Sequence, residues 1–409
     1  MSDRLHDAIV VGGGPAGTAA AIGLADRGLD VVVIDKAAFP RDKTCGDGLT
    51  TLALRELERL GLTPDHVESW TEVERAHLHS PRGHTVTLPL PPGPGQFAAI
   101  ARRVDLDAAL IELATHRGVT VREQVGLRDA SMHRHHVEVC TDATPPLHAR
   151  WVIGADGIWS PLRRALGVGE PRYRGEWHAF RQYFSRTAND DAELHVWFEP
   201  DLLPGYAWSF PLGEGRANVG FGVLRGTRLD GKALARLWPD LLQRPAIRSV
   251  LGPRAVADGH HRAWPIPARI TTTRLTAGRA LFVGDAARAT DLFTGEGIGQ
   301  ALLSGRLAAE ALTGGIDATD PAPVTNAYST AVLHELAPDH HMAATLSRLM
   351  AVEPLAEASV RLVGSTRWTR RNVGRWLFED SPRGIALTPR RWRRGALSGP
   401  PAFTTTTQR

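Results

Sequence analysis

Six residues, Gly12-Gly13-Gly14-Pro15-Ala16-Gly17, separate an apolar run, Ala8-Ile9-Val10-Val11, from a stretch of small residues that reads as a helix as far as Arg27. A phosphate pair needs backbone amides that approach closely and a helix N-terminus aimed at it. Gly12, Gly14 and Gly17 supply that turn. The flanking pattern predicts strands over His6 to Val11 and Val31 to Ile34, a parallel β-α-β unit and hence half of a doubly wound sheet. Asp35 ends the second strand at the distance where a carboxylate accepts hydrogen bonds from a ribose, the other reading being a surface helix cap. The motif specifies a dinucleotide site and does not decide which dinucleotide.

The chain has 409 residues, 43% of them hydrophobic, which predicts a large folded protein of about two to three domains. Two cysteines, Cys45 and Cys140, are too few for a disulfide framework and suit a reducing cytoplasm. No apolar leader with a cleavage site is read before the first strand, so a cytoplasmic location is expected. The uncharged run Ala8 to Ala25 nearly reaches the length of a membrane span, but five glycines and Pro15 interrupt it. The net charge of +4 rests almost entirely on arginine, since Lys36, Lys43 and Lys232 are the lysines. Arginine and tryptophan concentrate at Arg367 to Trp376, with more arginine at Arg390 to Arg394. This suits a solvated helix face or a peripheral contact with an acidic membrane surface. No nucleic-acid-binding motif accompanies the charge, so a nucleic-acid partner is not expected.

The coarse pattern is α/β. A helix is predicted from Leu49 to Leu60, ended by Gly61. A hairpin follows from Glu74 to Leu90 around Pro81-Arg82-Gly83, then a helix from Val104 to His116 and strands at Val119 to Arg122 and Trp151 to Gly154. Strands at Ala179 to Phe184, Glu193 to Phe198, Tyr206 to Phe210 and Asn218 to Val223 suggest an antiparallel sheet. Leu281-Phe282-Val283 and a helix from Ile298 to Leu312 return to the first domain. The expected organisation is a discontinuous nucleotide domain (1–72, 97–172 and 275–325), a substrate domain (73–96 and 173–274) and a helical C-terminal region (326–409). His133, His135 and His136, like His334, His340 and His341, lack cysteine neighbours or ligand spacing, so no metal is expected.

Two downstream segments bear on the dinucleotide. Gly154-Ala155-Asp156-Gly157, with Ser160 and Arg163, and Gly284-Asp285-Ala286-Ala287 resemble the second and third nucleotide signatures of flavin monooxygenases and their relatives. With the first motif they point to FAD, and the resemblance covers about residues 1–325. Cys45-Gly46-Asp47-Gly48, Tyr206-Ala207-Trp208-Ser209-Phe210-Pro211 and Phe293-Thr294-Gly295-Glu296-Gly297-Ile298 resemble the geranylgeranyl reductase family, which has a p-hydroxybenzoate hydroxylase-like fold. That resemblance implies an FAD-binding Rossmann-type domain with an antiparallel substrate domain. It places FAD against Gly12, Gly14, Pro15, Ala16, Gly17, Asp35, Lys36, Cys45, Gly46, Gly48, Arg103, Val125, Asp156, Gly284, Asp285, Gly297 and Ile298. Arg103 would meet phosphate or the flavin edge, or else is an exposed helix-start residue.

The implied reaction is reduction of a carbon-carbon double bond in a prenyl-like lipid or related natural product. Tyr206, Trp208 and Phe210 offer flat apolar surface to such a substrate. Alternate strand residues share a face, so Tyr206 and Trp208 are equally readable as sheet core. Cys45 is either an inert small side chain or a site residue. An isolated alkene accepts hydride poorly without a proton donor, for which Cys45, Tyr206 and an ordered water are candidates. No separate nicotinamide-binding unit is visible, which leaves transient NAD(P)H docking or a protein electron carrier. The rival enzyme is an FAD-dependent monooxygenase, a hydroxylase or epoxidase of an aromatic or polyketide metabolite. A flavin-binding carrier or regulator fits less well, because both the flavin loops and the Cys45 segment are retained. Halogenation is not expected, since no lysine is well placed and Tyr206 to Pro211 only partly matches the halogenase Trp-x-Trp-x-Ile-Pro signature. Oligomeric state is not fixed by the sequence.

Overall fold

The computed structural model describes residues 4–404 apart from 92, 144, 189–191, 227–230, 379–383 and 385–398, so the Arg390 to Arg394 run lies outside the described residues. Leu5–Val11 runs in the middle of the first sheet, parallel to Val31–Ile34 on one side and to Leu147–Gly154 on the other. Thr120–Arg122 and Ala280–Phe282 extend the parallel order outward, and Thr276–Ala277 closes one edge. Val31 to Ile34 and Ala8 to Val11 are buried throughout, as a parallel sheet covered on both faces requires.

Helices Pro15–Ala25 and Ile298–Thr313 pack closely over this sheet because small residues meet between them. A Cβ on Gly305 would lie 2.2 Å from the Ala16 carbonyl oxygen, and one on Gly23 would lie 2.9 Å from the Ala309 Cβ. A hairpin, Leu127–Met132 with Val137–Thr141, joins the lower half of Leu147–Gly154. Five of the six residues in its first strand are exposed or half-exposed, which removes the apolar signal that would predict it.

The second sheet has seven strands, in the order Val256–Ile266, Trp177–Ser185, Ala217–Leu224, Tyr206–Pro211, Glu193–Trp197, Arg75–His79 and Thr85–Pro89. It is antiparallel except for one pair, since Arg75–His79 runs parallel to Glu193–Trp197. More than a hundred residues separate these two strands, so no tight turn dictates their direction. Val256–Ile266 forms the opposite edge and is exposed from Val256 to Ala263. Its polar run Asp258-Gly259-His260-His261-Arg262 suits an edge and carries no core pattern.

The two faces of this sheet have different partners. Trp197, Ala207 and Phe221 face the helices Gly231–Gln243 and Pro245–Leu251 in one core. Leu78, Val196 and Trp208 face the other way, in register with Gly220. A Cβ on Gly220 would lie 2.3 Å from the Trp208 indole, so the missing side chain makes room for that ring.

The C-terminal region is helical over Ala322–Met350, Glu353–Gly364 and Arg367–Leu377. The buried Tyr328 hydroxyl donates to the Phe282 carbonyl at 2.6 Å and ties the first of these helices to the first sheet. The other two lie against Val86 and Leu88 of the sheet edge. Among the described residues no helix is long and apolar enough to cross a membrane.

Candidate active site

The glycines of the first loop have different duties. Gly12 adopts φ +108°, and a Cβ there would lie 2.3 Å from the Ala155 carbonyl oxygen. At Gly17 a Cβ would lie 1.9 Å from the Gly12 carbonyl oxygen. Backbone contact excludes a side chain at both. At Gly14 a Cβ would meet nothing closer than guanidinium nitrogens of Arg41 and Arg103, each at 3.7 Å. The space over Gly14 and Pro15 is therefore bounded by the N-terminus of helix Pro15–Ala25 and by two arginines.

Asp107, fully buried, accepts from Arg103 through both oxygens at 2.7 and 2.8 Å and pairs with Arg41 at 2.9 Å. One carboxylate between two guanidinium groups leaves positive charge at a helix N-terminus, the electrostatics a pyrophosphate requires. Burial disfavours the Arg103 charge, but the Asp107 pairing outweighs it and raises the pKa. Arg103 is thus a buried residue and not an exposed helix start.

Asp35 is buried as well. Its carboxylate accepts from the Gly13 amide and from the Ala37 amide, each at 2.8 Å, which sets it at the mouth of the loop and not on a surface helix. Lys36 beside it is exposed. The Val125 amide donates to the Asp35 carbonyl at 2.8 Å, so that N–H is already engaged. The Asp156 carboxylate accepts from the Leu162 amide at 2.8 Å and holds the turn into Pro161–Ala165, and burial pushes its pKa up to about 6. Gly284, at φ +57°, seats its turn on Ala16, where a Cβ would come within 2.9 Å of the Ala16 Cβ. Its amide donates to Ser304 Oγ at 2.9 Å. Asp285 favours the charged forms of Lys43 and Arg103, and a Cβ on Gly297, just before Ile298 starts its helix, would come within 3.0 Å of Thr290 Oγ1. This donor set fits FAD. The pyrophosphate would lie over Gly14 between Arg41 and Arg103, a ribose at Asp35, and the ribityl chain beside Asp285.

The Cys45-Gly46-Asp47-Gly48 loop is fixed from the second sheet. Asp47, at φ 64°, is fully buried and accepts from the Tyr183 hydroxyl and from Asn218 Nδ2, both at 2.7 Å, and from the Arg103 amide at 3.2 Å. Burial raises its pKa to about 6 against the pull of these donors and of Arg181. Asn218 Nδ2 and Arg181 Nε also donate to the Cys45 carbonyl, at 2.9 and 3.3 Å. Burial, reinforced by Asp47, pushes the Cys45 thiol up to about 11, so its sulfur carries a proton at neutral pH. Lys43 is lowered to about 8 by burial, and its Nζ sits 3.5 Å from the Trp264 ring centroid. Arg41, Asp107, Tyr183 and Arg181 were not singled out by the sequence motifs. Asp47 and Glu296 lie inside the quoted motifs, where their buried or cleft-lining roles had a visible signal, and Asn218 was read only as the start of a strand.

Between this loop, the inner face of the second sheet and the last described helix opens a narrow cleft of about 60 Å3. Its apolar wall includes Leu78, Leu194, Val196, Phe198, Phe293 and Leu377, and Glu296 is the one acidic residue among its described lining residues. Tyr206 and Phe210 line it, and Tyr206 donates its hydroxyl to the Thr294 carbonyl. Trp208 is not among the lining residues. It lies close to Gly46 and Gly220, with Nε1 donating to Asn218 Oδ1 at 3.2 Å. The alternation that left Tyr206 and Trp208 equivalent in sequence therefore resolves into one residue at the cleft and one beneath the loop. Gly46 and Gly48 both approach the Phe210 ring, and a Cβ on Gly48 would lie 3.2 Å from Glu296 Oε1.

The contrast within the first loop is testable. Gly17→Ala should destabilise the FAD-free chain by about 3 kcal/mol or more, because the new methyl overlaps backbone. Gly14→Ala should leave FAD-free stability within about 1 kcal/mol while weakening FAD binding, because its methyl occupies the phosphate position. Urea unfolding and flavin fluorescence titration read the two effects separately, and equal destabilisation by both changes would refute the assignment.

A family model for an FAD binding domain matches residues 6–315. A menaquinone reductase of Mycobacterium tuberculosis is 37% identical over 328 residues, covering 76% of this chain and 77% of that protein. A digeranylgeranylglycerophospholipid reductase of Methanopyrus kandleri is 33% identical, covering 77% of this chain and 82% of that protein. Among solved structures, a geranylgeranyl bacteriochlorophyll reductase-like protein from Thermoplasma acidophilum aligns with a TM-score of 0.79 at 22% identity, over 95% of this chain and 99% of that one. The halogenase PltM, solved with phloroglucinol and FAD, aligns with a TM-score of 0.70 at 17% identity, over 94% and 84% of the two chains, a likeness of fold alone. With the sequence matches spanning the FAD cradle, the Cys45 loop and the sheet that walls the cleft, the chain belongs to the geranylgeranyl reductase family of FAD-dependent oxidoreductases.

Proposed function

We propose that this protein reduces a carbon-carbon double bond in a prenyl-like lipid. The cleft supports this reading most directly, because its walls are almost wholly hydrocarbon and it borders both the Cys45 loop and the Phe293 to Ile298 loop. Such a surface holds an extended chain by dispersion and excludes water. FAD, when bound, supplies the hydride equivalent. The protein supplies position and a proton. Cys45 retains its proton because burial disfavours the thiolate, and we assign it as the donor to the second alkene carbon. Tyr206 holds Thr294 through its hydroxyl and acts as a positioning residue beside the substrate. The described lining residues include no lysine, which favours this reading over halogenation on the same fold. NAD(P)H docking transiently, or a protein carrier, would reload the flavin.

A lipid substrate also needs a route to the cleft. Helix Glu353–Gly364 exposes Leu355 and Leu362, seven residues apart and hence on one face. Trp368 is 68% exposed between the exposed Arg367 and Arg371, at the start of the helix that ends on the cleft-lining Leu377. An apolar stripe flanked by arginines suits an anionic lipid surface, and this face would dock there.

Four outcomes test these statements. With flavin reduced under anaerobic conditions, a polyprenyl substrate should reoxidise it and gain two mass units. A gain of sixteen that requires oxygen would establish a monooxygenase instead. Cys45→Ala should keep its FAD and slow alkene reduction by about 10^2- to 10^4-fold. Because the folded-state thiol ionises only near pH 11, its donor role should persist through pH 9 and fall as pH rises further. A loss between pH 7 and 9 that vanishes in Cys45→Ala would contradict this. Finally, the protein should co-float with phosphatidylglycerol vesicles and not with phosphatidylcholine vesicles. Trp368→Ala with Arg371→Glu should abolish that binding while leaving reduction of a detergent-dispersed substrate intact.

A further inference from the structure

The face of the second sheet opposite the cleft carries a cluster drawn from strands far apart in sequence. The parallel register sets His77 beside His195, His79 beside Trp197 and Arg75 beside Glu193. Leu78, Leu194 and Val196 alternate with these residues and line the cleft on the other side. His77 Nε2 lies 2.8 Å from Glu193 Oε2, and His79 Nε2 lies 3.1 Å from His195 Nδ1. Ligand atoms of His77, Glu193 and His195 all lie within 4.8 Å of one another.

The groups around the cluster orient it. Thr87 Oγ1 is 3.1 Å from His77 Nδ1, and Thr85 Oγ1 is 3.0 Å from His79 Nδ1. As the cluster stands, His77 Nε2–H donates to Glu193 Oε2 and Nδ1 accepts from the Thr87 hydroxyl; a metal would displace the Nε2 proton, and Nδ1–H would then be donated to Thr87, the outer-shell arrangement that metal-binding histidines use. Arg75 Nε holds Glu193 Oε1 at 2.8 Å and leaves Oε2 directed at His77.

We infer that His77, Glu193 and His195 form a binding site for a divalent transition metal of the zinc class, with His79 hydrogen-bonded to His195 and water completing the shell. Two imidazoles and one carboxylate suit zinc better than magnesium or calcium, which take oxygen ligands. Zinc bonds of about 2.0–2.2 Å place tetrahedral ligand atoms about 3.4 Å apart. The His77 and His195 rings stack at 4.6 Å between centroids with 15° between their planes, so ligation requires the rings to rotate until their nitrogens converge. A bound ion would clamp Arg75–His79 to Glu193–Trp197, the parallel pair whose other face walls the cleft, and would stiffen that wall.

The test uses the full-length, FAD-loaded protein without an affinity tag, stripped by a chelator and titrated with Zn2+ by calorimetry. One equivalent should bind saturably, and the melting temperature should rise with Zn2+ concentration. His77→Ala, His195→Ala and Glu193→Gln should each weaken binding by more than about tenfold while retaining the flavin spectrum. His133→Ala with His136→Ala, at a stacked histidine pair elsewhere on the surface, should leave it unchanged. X-ray absorption at the zinc edge of the unsubstituted protein should read two imidazoles with oxygen ligands, a result independent of how the variants fold. Absence of a saturable equivalent, binding that survives His77→Ala, or binding lost with the His133 and His136 pair would overturn the site.

Discussion

A carboxylate removed from water must be matched by donors or it drives the chain apart, and Asp47 is such a group. Its partners come from separate parts of the fold. Tyr183 and Asn218 belong to adjacent strands of the second sheet, and the Arg103 amide opens a helix packed on the first sheet. Satisfying one side chain therefore fixes the spacing between the FAD cradle and the sheet that walls the cleft. The Cys45 carbonyl shares Asn218 with Asp47, so the loop that carries the thiol is held by the same contacts. The left-handed backbone at Asp47 turns its carboxylate inward between these elements and costs about 1 kcal/mol or more, which the hydrogen bonds offset.

From that junction the second sheet acts as a partition. Its period of two sends Leu78, Val196 and Phe210 toward the cleft, and His77, His195 and Trp197 toward the opposite face. A one-residue slip in the parallel pair would exchange the two sets, leaving imidazoles in the cleft and leucine in water. The clash that Gly220 avoids with the Trp208 indole, and the Trp208 bond to Asn218, pin the register of the neighbouring pair, Tyr206–Pro211 against Ala217–Leu224, beside the Cys45 loop. Burial of Trp197 against helices Gly231–Gln243 and Pro245–Leu251 pins the parallel pair from the other face.

The parallel half of this architecture was legible because its signals are local. A glycine turn, two short apolar strands and a glycine at the end of a helix each act within a few residues, and Gly61 indeed caps its helix at φ 85°. What was not legible depends on pairings between distant segments. Nothing near Arg41 announces that it will share Asp107 with Arg103, and nothing near His77 announces His195. Those meetings follow from a helix docking on the glycine loop and from a parallel strand pair with no turn to declare it. Val256–Ile266 escaped notice for a different reason, since an exposed edge strand need not alternate. Tyr206 and Trp208 show the limit of periodicity itself. It assigns both to one face, but only the loop that covers Trp208 separates cleft from core.

The chemistry proposed for Cys45 and the character of the cleft have a common physical origin. Removing water from this region makes it favourable for hydrocarbon and also raises the free energy of a thiolate, so the proton stays on sulfur. Asp47 adds to the effect by placing a carboxylate near the sulfur, and Glu296 at the cleft wall adds a smaller push in the same direction. In a wetter site the same cysteine would titrate closer to neutrality and act as a nucleophile or metal ligand. Apolar capture and proton retention are therefore consequences of one burial, and a change that admits water to the cleft weakens both together.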